Sequence, residues 1–140
     1  MKKINVSSGT PWEPLVGFSR SVRVGDMVYV CGTTPSNAQG EVYGLGDAYQ
    51  QTRKVLLNIK KALEEAGAKL KDVVRTRIYV TDIGELEGIA RAHREVFQKI
   101  RPATTIVQVQ KLIDVRMMVN IEVEAVVGVD EIEEKKIENY

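Results

Sequence analysis

Two segments decide the fold: Arg101-Pro102-Ala103-Thr104-Thr105-Ile106-Val107 and Ile121-Glu122-Val123-Glu124-Ala125. Proline at position 102 ends a preceding helix, and the β-branched residues after it predict a strand. The second segment alternates carboxylates with apolar residues, which is the two-residue period of a strand. Because an ionised carboxylate is costly to bury without partners, Glu122 and Glu124 indicate a polar interface, a solvated cleft or a functional site.

Working outward from these strands, the remaining sequence predicts one α+β domain. Helical periodicity runs through residues 47–66, and a second helix follows the capping residue Asp82. The segment from Pro11 to Pro14 is expected to be an extended arm, because two prolines restrict its backbone. The predicted strands are residues 16–24, 27–32, 73–81, 104–109 and 117–127. The expected architecture is therefore a two-layer sandwich of a mixed sheet and two helices.

Two helices can cover only one face of such a sheet. In the strand at 73–81, alternation predicts that Val74 faces the core together with Thr76, Ile78 and Val80. The opposite face is expected to carry Arg75, Arg77, Tyr79, Asn120, Glu122 and Glu124. A face with this mixture of residues favours burial against other subunits.

Length and composition restrict the classes of function. The 140 residues suit one domain, assigned to residues 1–129, followed by a charged tail at 130–140. A net charge of +1 argues against dedicated nucleic-acid binding. The single cysteine, the early polar residues and the lack of an apolar run of about 20 residues predict a cytoplasmic protein without membrane contact. No metal-ligand or phosphate-loop spacing is present, so neither a metal nor a cofactor is expected.

Motifs spread along nearly the whole chain resemble the reactive intermediate deaminase family, also called Rid or YjgF. The opening motifs are followed by a Pro-Ala strand start and an Ile-Glu-Val strand, in the order and at the spacing typical of that family. The matching pieces are residues 16–19, 25–32, 40–42, 47–67, 79–82, 102–103 and 121–123.

This resemblance implies a chorismate-mutase-like fold and a homotrimer with clefts between its subunits, each binding a small molecule. It also implies hydrolysis of enamines and imines to carbonyl compounds and ammonia, without a cofactor. Glu122 corresponds to the catalytic glutamate that positions water in this chemistry. Gly32 corresponds to the residue whose backbone amide helps to hold the ligand, and Cys31 stands beside it in place of a serine.

The chain departs from the family pattern at three positions. Thr104 stands where the family has the arginine that binds the substrate carboxylate, Phe18 replaces a pocket tyrosine, and Ala90 replaces an asparagine. Losing the arginine removes a charge-assisted pair that stabilises a bound carboxylate by about 2–3 kcal/mol. The chain thus resembles a branch that lacks this arginine, with substrates other than simple amino-acid imines. Because strand residues alternate, only one of Thr104 and Thr105 is expected to face the cleft.

Three more side chains are possible members of the site, and each also has a structural explanation. His93 lies on an apolar helix stripe, where a histidine is usually a hydrogen-bonded core residue. Arg77 is one of several arginines, with Arg20 and Arg75, that could replace the missing cation, but structural ion pairing with Glu122 or Glu124 is the favoured explanation. Cys31 is either a small buried residue or a reactive thiol.

Three functions remain open at this point. The first is an enamine or imine deaminase with an atypical pocket. The second is a catalytically inactive trimer that binds a small metabolite. The third is an endoribonuclease or translation inhibitor, which the near-neutral charge disfavours.

Overall fold

A single mixed sheet dominates the computed structural model, which describes residues 1–140. Its strands are β1 (Lys3–Val6), β2 (Ser21–Val24), β3 (Met27–Thr33), β4 (Val73–Val80), β5 (Ala103–Gln108) and β6 (Val119–Val126). They lie side by side in the order β1-β2-β3-β6-β4-β5. All neighbours are antiparallel except β4 and β5, which are parallel and are joined through a helix.

The helices are α1 (Trp12–Val16), α2 (Ala48–Glu65) and α3 (Leu86–Phe97). The predicted stripe of α2 is buried along its whole length, and the Asp47 side chain caps its first turn by accepting from the Gln50 amide. Gly67 follows the helix with a φ of 81°, a left-handed conformation that favours glycine. None of the helices is long and apolar enough to cross a membrane.

The core lies between α2, α3 and one face of the sheet, which confirms the predicted two-layer α+β architecture. The buried positions of β4 and β6 alternate with half-buried ones: Thr76, Ile78 and Val80 on one strand, and Val119, Ile121, Val123 and Ala125 on the other. The other face is not covered within the chain, and it carries the mixed polar residues that the sequence predicts there.

Val74 contradicts the alternation expected for β4. The register with β6 shifts between Val73 and Arg75, so that Val73 is buried and Val74 is 40 % exposed. A β-bulge of this kind inserts one residue and reverses the facing of its neighbour. The arginines beyond the bulge keep their predicted face.

The N-terminal region differs most from the expectation. Residues 12–16 form the short helix α1 rather than an extended arm, because Pro14 lies in the first turn, where a backbone N–H has no helical partner. Gly17, with a φ of 90°, ends this helix, so the strand expected at 16–24 is only Ser21–Val24. The edge strand β1 was not predicted from the sequence. Residues 130–140 form neither a helix nor a strand.

Glu13 holds this N-terminal region together. Its carboxylate is 4 % exposed and accepts hydrogen bonds from the backbone and hydroxyl groups of Ser8 and Thr10. Arg20, also buried, donates to Glu13 at 3.5 Å and to the Ser8 hydroxyl at 3.1 Å. Burial opposes ionisation of Glu13, but these hydrogen bonds outweigh it and lower its pKa to about 2.

We predict that Glu13→Gln destabilises the protein by about 3 kcal/mol at pH 7, because Arg20 is left without a counter-charge. The folded pKa of about 2 lies below the ordinary value of 4.5, so this stabilisation is present above pH 4.5 and is lost as the pH falls towards 2. Urea unfolding at pH 7 and at pH 3 measures both effects. Glu64→Gln, on the exposed side of α2, serves as the control. An equal loss of unfolding free energy in Glu13→Gln and Glu64→Gln would contradict the stabilising role of Glu13.

Candidate functional site

A groove of about 260 Å³ lies on the open face of the sheet, where β3 and β6 are paired. It contains four of the residues singled out from the sequence, namely Cys31, Arg77, Glu122 and Glu124. The complete lining is Ser19, Val22, Tyr29, Val30, Cys31, Arg77, Glu122, Val123 and Glu124. The antiparallel register sets Arg77 opposite Glu122 and Arg75 opposite Glu124, and this pairing creates the row of charges along the groove.

The two glutamates of β6 are bonded differently. Glu122 Oε1 accepts from the Tyr79 hydroxyl at 2.9 Å and from Arg77 Nη1 at 3.4 Å, while its Oε2 accepts nothing within the chain. Glu124 uses both oxygens, with Arg77 at 2.9 Å from Oε1 and Arg75 at 3.5 Å from Oε2. Glu124 is therefore a structural ion-pair residue, as expected, whereas Glu122 is fixed by one oxygen and keeps the other available.

Tyr79 is the site residue that the sequence analysis did not select. It shares the face of Arg75 and Arg77, and its hydroxyl is the shortest contact of Glu122. Donation to Glu122 raises the pKa of the Tyr79 phenol, because ionisation would break that hydrogen bond next to a negative charge. The hydrogen bond to Glu124 likewise raises the pKa of Arg77. The strand register indicates this contact, because Arg77 is paired with Glu122 and Tyr79 lies two residues further along the same face of β4.

Cys31 and Gly32 lie at the irregular end of β3. The register with β6 shifts between Val30 and Thr33, and burial raises the pKa of the Cys31 thiol, so this thiol has little thiolate character at neutral pH. A Cβ on Gly32 would lie 2.6 Å from Asn120 Oδ1, so glycine permits the close approach of the β6 side chain. Phe18 lies beside a neighbouring hollow formed with α1 and adjoins the groove only through Ser19.

Thr104 and His93 lie on the other side of the sheet. Thr104 pairs in register with the fully buried Thr76, and the two hydroxyls are 2.8 Å apart. His93 Nε2 is 3.0 Å from the same Thr76 hydroxyl. Burial lowers the pKa of His93 to about 4, so its imidazole is neutral at physiological pH. Thr105, in register with Arg77, is the threonine that faces the groove side of the sheet.

A larger cavity of about 390 Å³ lies between α2 and residues 6–10. Arg20 lines it, and this arginine is engaged with Glu13 rather than directed at the open-face groove. The cavity contains none of Phe18, Cys31, Gly32, His93, Thr104, Thr105 or Glu122. The chemistry-bearing residues therefore favour the smaller groove on the open face as the candidate site.

We predict that Glu122→Gln lowers the pKa of Tyr79 towards that of an ordinary phenol, since the carboxylate that accepts its proton is gone. Glu124→Gln is the matched control and should leave the pKa of Tyr79 raised, because Glu124 does not contact the phenol. Titration of carbon-13-labelled tyrosine by NMR measures both. A Tyr79 titration that is the same in wild type and Glu122→Gln would show that the hydrogen bond is absent.

Comparison with known proteins gives the family. The family model described as Endoribonuclease L-PSP matches residues 10–127. The 3-aminoacrylate deaminase RutC of Acinetobacter baylyi is 38% identical over 108 residues, which are 77% of this chain and 85% of that protein. A RutC family protein of Pyrococcus abyssi is 34% identical over 100 residues, covering 71% of this chain and 79% of the relative.

Solved structures agree with these relatives. The Mycobacterium tuberculosis member of the YjgF/YER057c/UK114 family has a TM-score of 0.81 at 46% identity and covers 90% of this chain and 100% of its own. The YjgF protein of Escherichia coli has a TM-score of 0.77 at 28% identity, and the match covers 89% of this chain and 98% of that protein. With its six-stranded mixed sheet and its match over residues 10–127, the chain belongs to the YjgF/Rid family, the family of the Endoribonuclease L-PSP model.

Proposed function

We propose that this protein hydrolyses enamines or imines and releases ammonia, with Glu122 as the general base. The observation that carries the proposal is the unequal use of the two Glu122 oxygens, one held by Tyr79 and Arg77 and the other free. A carboxylate held in this way keeps its orientation and still has a lone pair for a water molecule. The RutC deaminase among the relatives supports the reaction class.

The chemistry requires few groups. An enamine first takes a proton from solvent at carbon to become the iminium ion. Glu122 Oε2 then accepts a proton from water as the water oxygen bonds to the iminium carbon, and the electron pair of the C=N π bond passes to nitrogen. Glu122 returns its proton to the nitrogen of the resulting amino alcohol. The C–N bond then breaks to release ammonia as the hydroxyl oxygen forms the carbonyl and gives its proton to solvent. Tyr79 and Arg77 hold the Glu122 carboxylate in place through hydrogen bonds to its Oε1.

The site is incomplete in one copy of the chain. Glu122 lies on the open face of the sheet, whereas Thr104 bonds Thr76 towards α3 and the core. A single small ligand contacts both residues only where the groove of one copy meets the β5 edge of another. We therefore propose a homotrimer with the clefts between subunits, acting on a small molecule in the cytoplasm. The exposed apolar residues Tyr29 and Val107 on this face support burial against a partner.

We predict that Glu122→Gln lowers kcat/KM for imine hydrolysis by about 10²–10⁴-fold, because the amide cannot accept the water proton. The matched control is Glu124→Gln, which lies two residues along the same strand and should change kcat/KM only a few-fold. The measurement is the rate of ammonia release from imines generated in solution, corrected for the uncatalysed rate. The panel contains carboxylate-bearing imines and their uncharged amide analogues. Activity retained in Glu122→Gln would refute Glu122 as the base.

A catalytically inactive binding trimer is the second candidate, and it is favoured by Thr104, Phe18 and Ala90 at the places of the family's polar pocket residues. In that case small-molecule ligands raise the melting temperature of the protein, and none of the imines tested is hydrolysed. Turnover of any imine by the purified protein, abolished by Glu122→Gln, excludes this candidate.

We do not propose ribonuclease activity, although the family model carries that description. The arginine of the groove, Arg77, is paired with Glu122 and Glu124, so the groove offers no free cation to a phosphate backbone. His93 is the only histidine, and it is bonded to Thr76 rather than exposed in the groove.

We predict a mass in solution of three times the 15.6 kDa of one chain, measured by sedimentation equilibrium. Val107→Lys should weaken the assembly, because it places a charge on the exposed apolar edge of the open face. Leu57→Lys, at another exposed apolar site on α2, is the control and should leave the mass unchanged. A folded monomer at micromolar concentration in the wild type would contradict the proposed cleft.

A further inference from the structure

Three side chains form a continuous hydrogen-bonded chain from the interior to the β5 edge. His93 Nε2 lies 3.0 Å from the Thr76 hydroxyl, and Thr76 lies 2.8 Å from the Thr104 hydroxyl. Thr104 in turn donates to the Pro102 carbonyl oxygen at 3.1 Å. Thr76 is fully buried and Thr104 is exposed, so the chain connects the core to a position that a ligand can reach.

The direction of every bond in this chain follows from its last member. A carbonyl oxygen only accepts hydrogen bonds, so Thr104 donates its single hydroxyl proton to the Pro102 carbonyl oxygen. Thr76 must then donate to Thr104, which uses the only proton that Thr76 has. His93 must therefore donate from Nε2, and the neutral imidazole carries its proton on that nitrogen.

This arrangement leaves Thr104 with one unused lone pair and no proton to give. The hydroxyl is thus a fixed hydrogen-bond acceptor at the exposed edge of the sheet. An N–H or O–H group of a ligand gains a hydrogen bond there. A ligand carboxylate would face the lone pair of Thr104 with no proton between the two oxygens. It can form a hydrogen bond only if the Thr104 hydroxyl turns away from the Pro102 carbonyl and loses that bond.

We propose that the site holds Thr104 as an acceptor, with its proton on the Pro102 carbonyl and a hydrogen bond from Thr76, and that it thereby selects substrates carrying an uncharged donor group, such as a primary amide, over substrates carrying a carboxylate. This inference rests on the proposed function, because it assumes that Thr104 lines the ligand cleft. It deepens that function by naming the substrate class, which is imines and enamines of amides rather than of free acids.

The first test needs no variant and no ligand. The protein has one histidine, so a long-range proton–nitrogen NMR spectrum of nitrogen-15-labelled protein reports His93 without assignment. We expect protonated Nε2 and unprotonated Nδ1 at neutral pH. A dominant tautomer with the proton on Nδ1 would reverse the direction of the chain and overturn the proposal.

The second test compares two nearly isosteric ligands, 2-oxopropanamide and pyruvate, by titration calorimetry. The wild type should bind the amide about tenfold more tightly than the acid. Thr104→Val should abolish this preference, and Thr104→Ser, which keeps the hydroxyl, should retain it. Thr76→Val removes the donor to Thr104 but leaves the Thr104 proton on Pro102, so the preference for the amide should persist in this variant.

The outcomes separate this proposal from the deaminase activity. An unchanged preference in Thr104→Val, or a preference lost in a folded Thr76→Val variant, overturns the proposal, whether or not imines are hydrolysed. Tighter binding of pyruvate by the wild type, or binding of neither ligand, does the same. Absence of imine turnover together with the expected binding preference refutes only the catalytic proposal. The melting temperature of Thr76→Val shows whether its buried site is still folded.

Discussion

The antiparallel pairing of β4 with β6 is the constraint on which the structure depends. It places Thr76, Ile78 and Val80 opposite the apolar residues of β6 on the core side, and it sets the arginines of β4 opposite Glu122 and Glu124 on the other side. A shift of one residue would exchange the two faces, burying the charges and exposing the core. The bulge at Val74 absorbs the one irregularity in this pairing, so the register beyond it is kept.

The same pairing gives two chemically similar glutamates different surroundings. Arg75 and Arg77 lie so that Glu124 is paired through both oxygens, and Tyr79 takes up only one oxygen of Glu122. On the opposite face, Thr76 turns inward from the same strand and connects the neutral His93 to Thr104. One strand therefore supports polar groups on both sides of the sheet, and neighbouring copies of the chain can unite them in one cleft.

The residue pattern predicts the parts of this molecule that are periodic. The buried stripe of α2, the two-layer architecture and the ion pairing of Glu124 follow from spacing and alternation. The residue pattern does not predict helix α1, because proline usually breaks a helix, whereas Pro14 lies in the first turn, where it is tolerated. Alternation could not reveal the bulge at Val74, which depends on pairing with β6. The link from His93 to Thr104 joins residues from a helix and two strands, so it is visible only once those elements are packed together.

The most direct test of this account is a crystal structure of the assembled protein with 2-oxopropanamide bound. In this structure, Glu122 Oε2 should be free of protein partners and should face a cleft between copies of the chain. We expect a water next to the ligand carbonyl carbon, within hydrogen-bonding range of Oε2, about 3 Å away, and the amide nitrogen against Thr104 of the adjacent copy. An ion pair between Oε2 and a cation of the neighbouring copy, with the ligand elsewhere, would contradict it.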